Sequence, residues 1–148
     1  TYHFKVISYD SSGNMAESED YTFTTTNEVY PLVINNVQIL DYDFNPATSI
    51  PAGSQFNIKV NVQNTGQNSL TPMQIVEVLD GPTPLFIGTV KANINSGESS
   101  EITVGFVLPT SAVSGHQYTV KVFNWNNWVS QGNWQSYSLP YQTSFTVA

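Results

Sequence analysis

Along most of this chain the apolar residues recur at every second position, and that period decides the fold class before anything else. Phe56, Ile58, Val60 and Val62 alternate with Asn57, Lys59, Asn61 and Gln63. Ile102, Val104, Phe106 and Leu108 are spaced in the same way, as are Tyr118, Val120 and Val122, and Thr143, Phe145 and Val147. A period of two sends successive side chains to opposite faces of an extended strand, so each run has one face to bury and one to hydrate. No segment keeps the 3.6-residue period of a helix for more than a few residues. Turn residues punctuate the runs: Pro51-Ala52-Gly53, Asn64-Thr65-Gly66, Asp80-Gly81-Pro82, Asn95-Ser96-Gly97 and Ser114-Gly115.

With Val33–Leu40, Met73–Leu79 and Phe86–Ile94 added, about seven strands fall between Leu32 and Val147. Strands at this spacing, with no helix between them, predict an all-β fold: an immunoglobulin-like antiparallel sandwich over residues 32–148. Residues 1–26 stand outside that count. Tyr2, Phe4 and Val6, then Asp10-Ser11-Ser12-Gly13-Asn14, then Tyr21-Thr22-Phe23 read as a two-strand hairpin, with 27–31 as its linker. A lone hairpin is marginal in water because nothing covers its apolar face. The cover is expected either from the rest of a larger protein, of which this is a piece, or from another subunit by strand addition.

Charge narrows the functional classes. Four lysines and no arginine stand against eleven carboxylates, a formal net charge of −7. No basic stripe exists to neutralise a phosphate backbone, so nucleic acid is not an expected partner. Without cysteine, disulfides and cysteine-based zinc sites are excluded. No apolar run reaches the roughly 20 residues of a membrane-spanning helix, and membrane insertion is not expected. Outward strand positions carry Thr, Asn and Gln rather than charge, a polar surface insensitive to pH and salt that suits an extracellular, cell-surface location. No N-x-S/T sequon is present.

Two stretches resemble known families. Tyr2-x-Phe4-x-Val6, then Tyr9-Asp10-x-x-Gly13-Asn14, then Tyr21-Thr22-Phe23-Thr24-Thr25 resembles the end of a bacterial fibronectin type III domain. That resemblance implies that residues 1–26 are the last two strands of a seven-strand unit. Residues 32–148 are similar to the CARDB group of immunoglobulin-like modules. The similarity rests on Gly53-x-x-Phe56-x-Ile58-x-Val60-x-Val62-x-Asn64-x-Gly66, Ser96-Gly97-Glu98 and Gly115-x-x-Tyr118-x-Val120-x-Val122. It implies a spacer, adhesion or assembly domain of a large secreted or surface protein and supplies no catalytic residues. The chain departs from that pattern in the tryptophan-rich stretch from Asn124 to Pro140.

Few residues could carry chemistry. His3 and His116 are the only histidines, and there is no G-x-S-x-G elbow or H-E-x-x-H pair. No catalytic residue is assigned, and the chain is not expected to be an enzyme. Asp41 and Asp43, with Asn45, set oxygen ligands at alternate positions that could hold Ca²⁺; the same residues before Pro46 also suit an Asx-type turn. Asp10, Asn14 and Asp20 carry that pattern less completely. No other cofactor is expected.

The aromatic stretch is the sharpest feature. Trp125, Trp128 and Trp134, the only tryptophans, fall within ten positions, Tyr137 and Tyr141 follow, and Asn126 and Asn127 are interleaved. Three uses are open for it: a plug for the end of the sandwich, a protein contact, or a sugar site in which rings stack on pyranoses and amides bond their hydroxyls. The expected function is a non-catalytic extracellular spacer, adhesion or assembly module, partnered by other domains or other copies of itself. The alternatives are a subunit of a filament or surface layer with strand exchange through residues 1–25, or a carbohydrate-binding accessory module that uses 124–141 on a cell-surface polysaccharide.

Overall fold

The structure, a computed structural model, describes residues 1–24 and 29–148. The end of the 1–26 segment and the first half of the 27–31 linker lie outside the described residues. The N-terminal segment is one hairpin in two short ladders. β1 (Tyr2–Phe4) pairs with β4 (Tyr21–Phe23), and β2 (Ile7–Tyr9) pairs with β3 (Met15–Glu17). The two expected strands are broken because residues 18–20 oppose only residues 5 and 6, a one-residue bulge. Ser18 bridges the gap: its hydroxyl accepts from the Val6 N–H at 3.0 Å and donates to the Glu19 carbonyl at 2.8 Å. At the tip, the Asn14 side chain and backbone donate to Asp10 and hold its carboxyl below the usual carboxylate range. Rings oppose directly across the outer ladder, Tyr2 on Phe23 at 5.3 Å and Phe4 on Tyr21 at 5.6 Å.

Eight further strands build a sandwich: β5 (Leu32–Leu40), β6 (Ser49–Ile50), β7 (Gln55–Asn64), β8 (Met73–Asp80), β9 (Thr83–Lys91), β10 (Ser99–Val107), β11 (Gln117–Trp125) and β12 (Tyr141–Val147). One sheet has the order β10-β7-β5 and the other β6-β12-β11-β8-β9. The all-β sandwich stands, with one strand more than expected. That strand, β6, is two residues long and pairs parallel with β12, so the chain leaves the first sheet after β5 and touches the second before returning to β7. The alternating runs bury the face they were expected to bury. Phe56, Ile58, Val60 and Val62 of β7 meet Val76 and Val78 of β8, Val120 and Val122 of β11, and Phe145 and Val147 of β12.

The two ends of the sandwich are closed by different chemistry. At one end rings run from sheet to sheet: Phe86 to Phe106 (5.4 Å), Phe106 to Phe56 (5.7 Å), Phe56 to Phe145 (4.9 Å) and Phe145 to Tyr118 (5.7 Å). Gly88 faces the opposite sheet here, and a Cβ in its place would collide with Val104. At the other end amides do the closing. Fully buried Asn64 donates to the carbonyls of Asn68 (2.8 Å) and Ile94 (2.9 Å) and accepts from the Gly66 N–H (2.9 Å), which explains the Val62-x-Asn64-x-Gly66 turn. Gln74 and Asn124 oppose each other on the buried face of β8 and β11. Asn124 Nδ2 donates to Ser138 Oγ at 3.0 Å, whereas both amide atoms of Gln74 and Oδ1 of Asn124 have no partner among the described residues.

Candidate functional site

The site begins with the parity of β11. Tyr118, Val120, Val122 and Asn124 point into the sandwich, so Thr119, Lys121, Phe123 and Trp125 point out of it. Trp125 therefore stands on the outer face of the five-stranded sheet and does not plug the sandwich end. Across the ladder from β11, Met73 and Ile75 also point outward, opposite Trp125 and Phe123. Both are nonetheless almost fully covered, at 2% and 4% exposure. Phe123 and Trp125, 5.5 Å apart, stand directly opposite them in the ladder, so the four make a small apolar group on the outer face, apart from the main core. Trp128 and Trp134 each meet Trp125 edge-to-face, at 6.1 Å and 85° and at 5.6 Å and 88°. These two outer rings are 39% and 45% exposed. Edge-to-face packing satisfies the ring quadrupoles and fixes the orientation of both rings.

The segment that carries Trp128 and Trp134 is pinned by amides. Asn126 Nδ2 donates to the Asn133 carbonyl at 2.7 Å, and its Oδ1 accepts from the N–H groups of Gln135 and Asn127, both at 2.8 Å. A single 3-10 turn, Val129–Gln131, reverses the chain, and Gln131 Oε1 accepts from the Trp128 N–H at 3.1 Å. Gly132 and Asn133 follow at φ +75° and +48°, left-handed conformations that glycine and asparagine tolerate best. The amides expected to contact a ligand are thus partly committed to the loop. Asn126 has its amide nitrogen and oxygen both engaged, while Asn127 Oδ1 is buried without a partner among the described residues.

Tyr137 and Tyr141 are separated from the tryptophans. Both pack against the sandwich core. Tyr137 joins the sheets through its backbone, donating to the Asn124 carbonyl (2.7 Å) and accepting from the Leu32 N–H (2.9 Å). Residues 136–138, not the tryptophans, thus close this end. Tyr141 lines an apolar cleft of about 360 Å³ with Leu32, Ile34, Leu139 and Pro140. That cleft was not visible in the sequence, because Leu32 and Ile34 lie on β5 whereas Leu139, Pro140 and Tyr141 lead into β12, distant in the chain.

The remaining candidates take local roles. Asp41 Oδ1 accepts from the Asn45 N–H at 2.9 Å, and Phe44 within that turn has φ +63°. Asp41 thus closes a longer turn onto the backbone of Asn45, four residues on, rather than an Asx turn, and among the described residues no group of three or more His, Asp or Glu could hold a metal ion. Each histidine meets one carboxylate at 2.8 Å, His3 with Asp20 and His116 with Asp80, on exposed surface. No described helix is long and apolar enough to cross a membrane.

Neither a family model nor a curated protein matches the chain. Solved structures do. A Paenibacillus sp. cycloisomaltooligosaccharide glucanotransferase complexed with cycloisomaltoheptaose matches at TM-score 0.60 and 11% identity, over 78% of this chain and 14% of that one. The C-terminal domain of wzt matches at TM-score 0.58 and 11% identity, over 81% of this chain and 75% of that one. The glucosidase EmGH1 of Erythrobacter marinus matches at 0.50 and 14% identity, over 86% and 18%. At these identities the likeness is one of fold. The chain spans under a fifth of the length of the two enzymes and about three quarters of the wzt domain.

Proposed function

We propose that this chain is a non-catalytic module of a larger extracellular protein, a spacer with an adhesive or assembly role whose contact surface is the outer tryptophan group. The carrying observation is the state of Trp128 and Trp134. Two large rings are held edge-to-face on Trp125 by a pinned loop, yet 39% and 45% of their surface stays in water. Exposed aromatic rings fixed on a rigid element are what contact surfaces use, since little side-chain freedom is lost on binding. The resemblance to CARDB modules, the amide- and hydroxyl-rich surface and the use of this sandwich as one part of longer chains in the matched enzymes support the modular, extracellular reading. The test is co-sedimentation of the purified chain with cell-envelope fragments of its source. Retention of the wild type and its loss in Trp128→Ala/Trp134→Ala, with the unfolding midpoint kept, is the expected result. Equal retention of both would overturn the reading.

A second reading is self-assembly through residues 1–25. The observation that favours it is that Tyr2, Phe4, Val6, Ile7, Tyr9, Met15, Tyr21 and Phe23 are all about half exposed or more. Sedimentation velocity over a wide concentration range should then reveal association that Phe4→Ser/Phe23→Ser abolishes. A concentration-independent monomer would remove this reading.

A further inference from the structure

We infer that the ligand of the tryptophan group is a neutral polysaccharide chain lying on the outer face of the five-stranded sheet. This rests on the reading of that group as the contact surface. The ladder registers fix what lies beside the rings. The first outward row is Trp125, Met73 and Lys91, and the second is Phe123, Ile75 and Thr89. The third is Gln142, Lys121, Glu77 and Ile87, and the fourth begins Ser144, Thr119.

Three properties of this face select the ligand. Its apolar part is already half spent: Met73 and Ile75 are buried, so Trp128 and Trp134, with Ile87 alone in the third row, are what it has left to offer. A protein partner needs a wider desolvated patch, with lysine and glutamate kept out of its centre. Here Lys121 and Glu77 stand opposite each other one row past Phe123 and Ile75. A sugar asks for that mixture. The electron-rich faces of the indoles attract the polarised C–H groups on one side of a pyranose. Hydroxyls of sugars further along the chain, each donor and acceptor at once, are met on the third and fourth rows by an amide, an ammonium, a carboxylate and hydroxyls in Gln142, Lys121, Glu77, Thr119 and Ser144. Finally, Lys121 and Glu77 oppose each other within the third row, Lys91 stands alone in the first, and the whole chain carries −7. An anionic polymer is repelled at long range and finds one uncompensated cation, not a cluster, at close range.

The shelf is pre-set for this. The indoles are oriented by Trp125 and by the bonds of Asn126 and Gln131 before any ligand arrives, so binding need not order them.

The probes are soluble dextran, hydroxyethyl cellulose and galactomannan, with polygalacturonate as the anionic control, read by affinity electrophoresis and by tryptophan fluorescence. At least one neutral polymer should retard the wild-type chain and polygalacturonate should not. Trp128→Ala and Trp134→Ala should each weaken that binding about tenfold, as loss of one stacked ring does, and Gln142→Ala by a few-fold. Tyr42→Ala, which removes an exposed ring elsewhere, should leave it unchanged. No retardation by any neutral polymer, or unaltered binding by the double tryptophan variant, overturns the inference. The envelope assay separates it from the broader reading. Retention that survives proteinase treatment of the fragments but not periodate oxidation supports a glycan. The reverse pattern makes the partner a protein and leaves only the contact surface standing.

Discussion

Two groups of rings in this molecule face water, and they are built differently. On the hairpin, Tyr2, Phe4, Tyr21 and Phe23 stack across a ladder only two strands wide. On the sandwich, Trp125 stands on a five-stranded sheet beside buried Met73 and Ile75, and an amide-pinned loop holds Trp128 and Trp134 against it. A ring pair alone contributes roughly 0.5–1.5 kcal/mol beyond its area, too little to hold a two-strand ladder in one arrangement. The same rings over a packed layer inherit the rigidity of the sheet. Exposure of aromatics is common to both groups; a fixed orientation is supplied by what lies below.

That contrast can be broken by substitution. The largest effect is expected for Trp125→Ala, which removes the centre of the tryptophan group and uncovers Met73 and Ile75. A loss of about 2–4 kcal/mol in urea unfolding is expected for a partly buried ring. A loss below about 0.5 kcal/mol, the size of an ordinary surface change, would mean that the outer cluster is no better supported than the hairpin. Asn126→Ala comes next. It frees the Asn133 carbonyl and the N–H groups of Asn127 and Gln135, at about 1–3 kcal/mol. It should also diminish the near-ultraviolet circular dichroism of the tryptophans, because Trp128 and Trp134 lose their fixed setting. An unchanged spectrum would show that ring packing alone orients them. The smallest effect is expected for Phe4→Ala. Within about 0.5 kcal/mol it should leave the sandwich midpoint where it was, while proteases cut residues 1–24 sooner. A shift of the sandwich midpoint would couple the hairpin to it.

Much of this was legible in the chain. The period-two runs located the strands, and Val62-x-Asn64-x-Gly66 marked a turn whose asparagine proves fully buried. Parity also held the answer for the aromatics. Trp125 is out of step with Tyr118, Val120 and Val122 and so faces outward; Tyr141 is in step with Phe145 and Val147 and so packs inward. Nearness in sequence grouped them as one surface, and the strands divide them. Besides the apolar cleft, three things were not legible. β6 is too short to carry a pattern. The hairpin bulge depends on one extra residue and on Ser18. The burial of Met73 and Ile75 depends on side chains some 50 positions away meeting them across a ladder.

The parallel pairing of β6 with β12 has a consequence for a chain under tension. Thr146 N–H donates to the Thr48 carbonyl at 3.1 Å and Ala148 N–H to that of Ile50 at 3.0 Å. Leu32 enters at the amide end of the sandwich, beside Asn64, while Val147 leaves at the opposite, ring-closed end, near Gly115 and His116. A pull between residues 32 and 148 thus loads two pairs along the strand axis, β5 against β7 and, behind it in the chain, β6 against β12. The bonds between them are loaded together in shear rather than opened one by one. Single-molecule extension should therefore register one abrupt high-force release, and a gradual, stepwise yielding would contradict it.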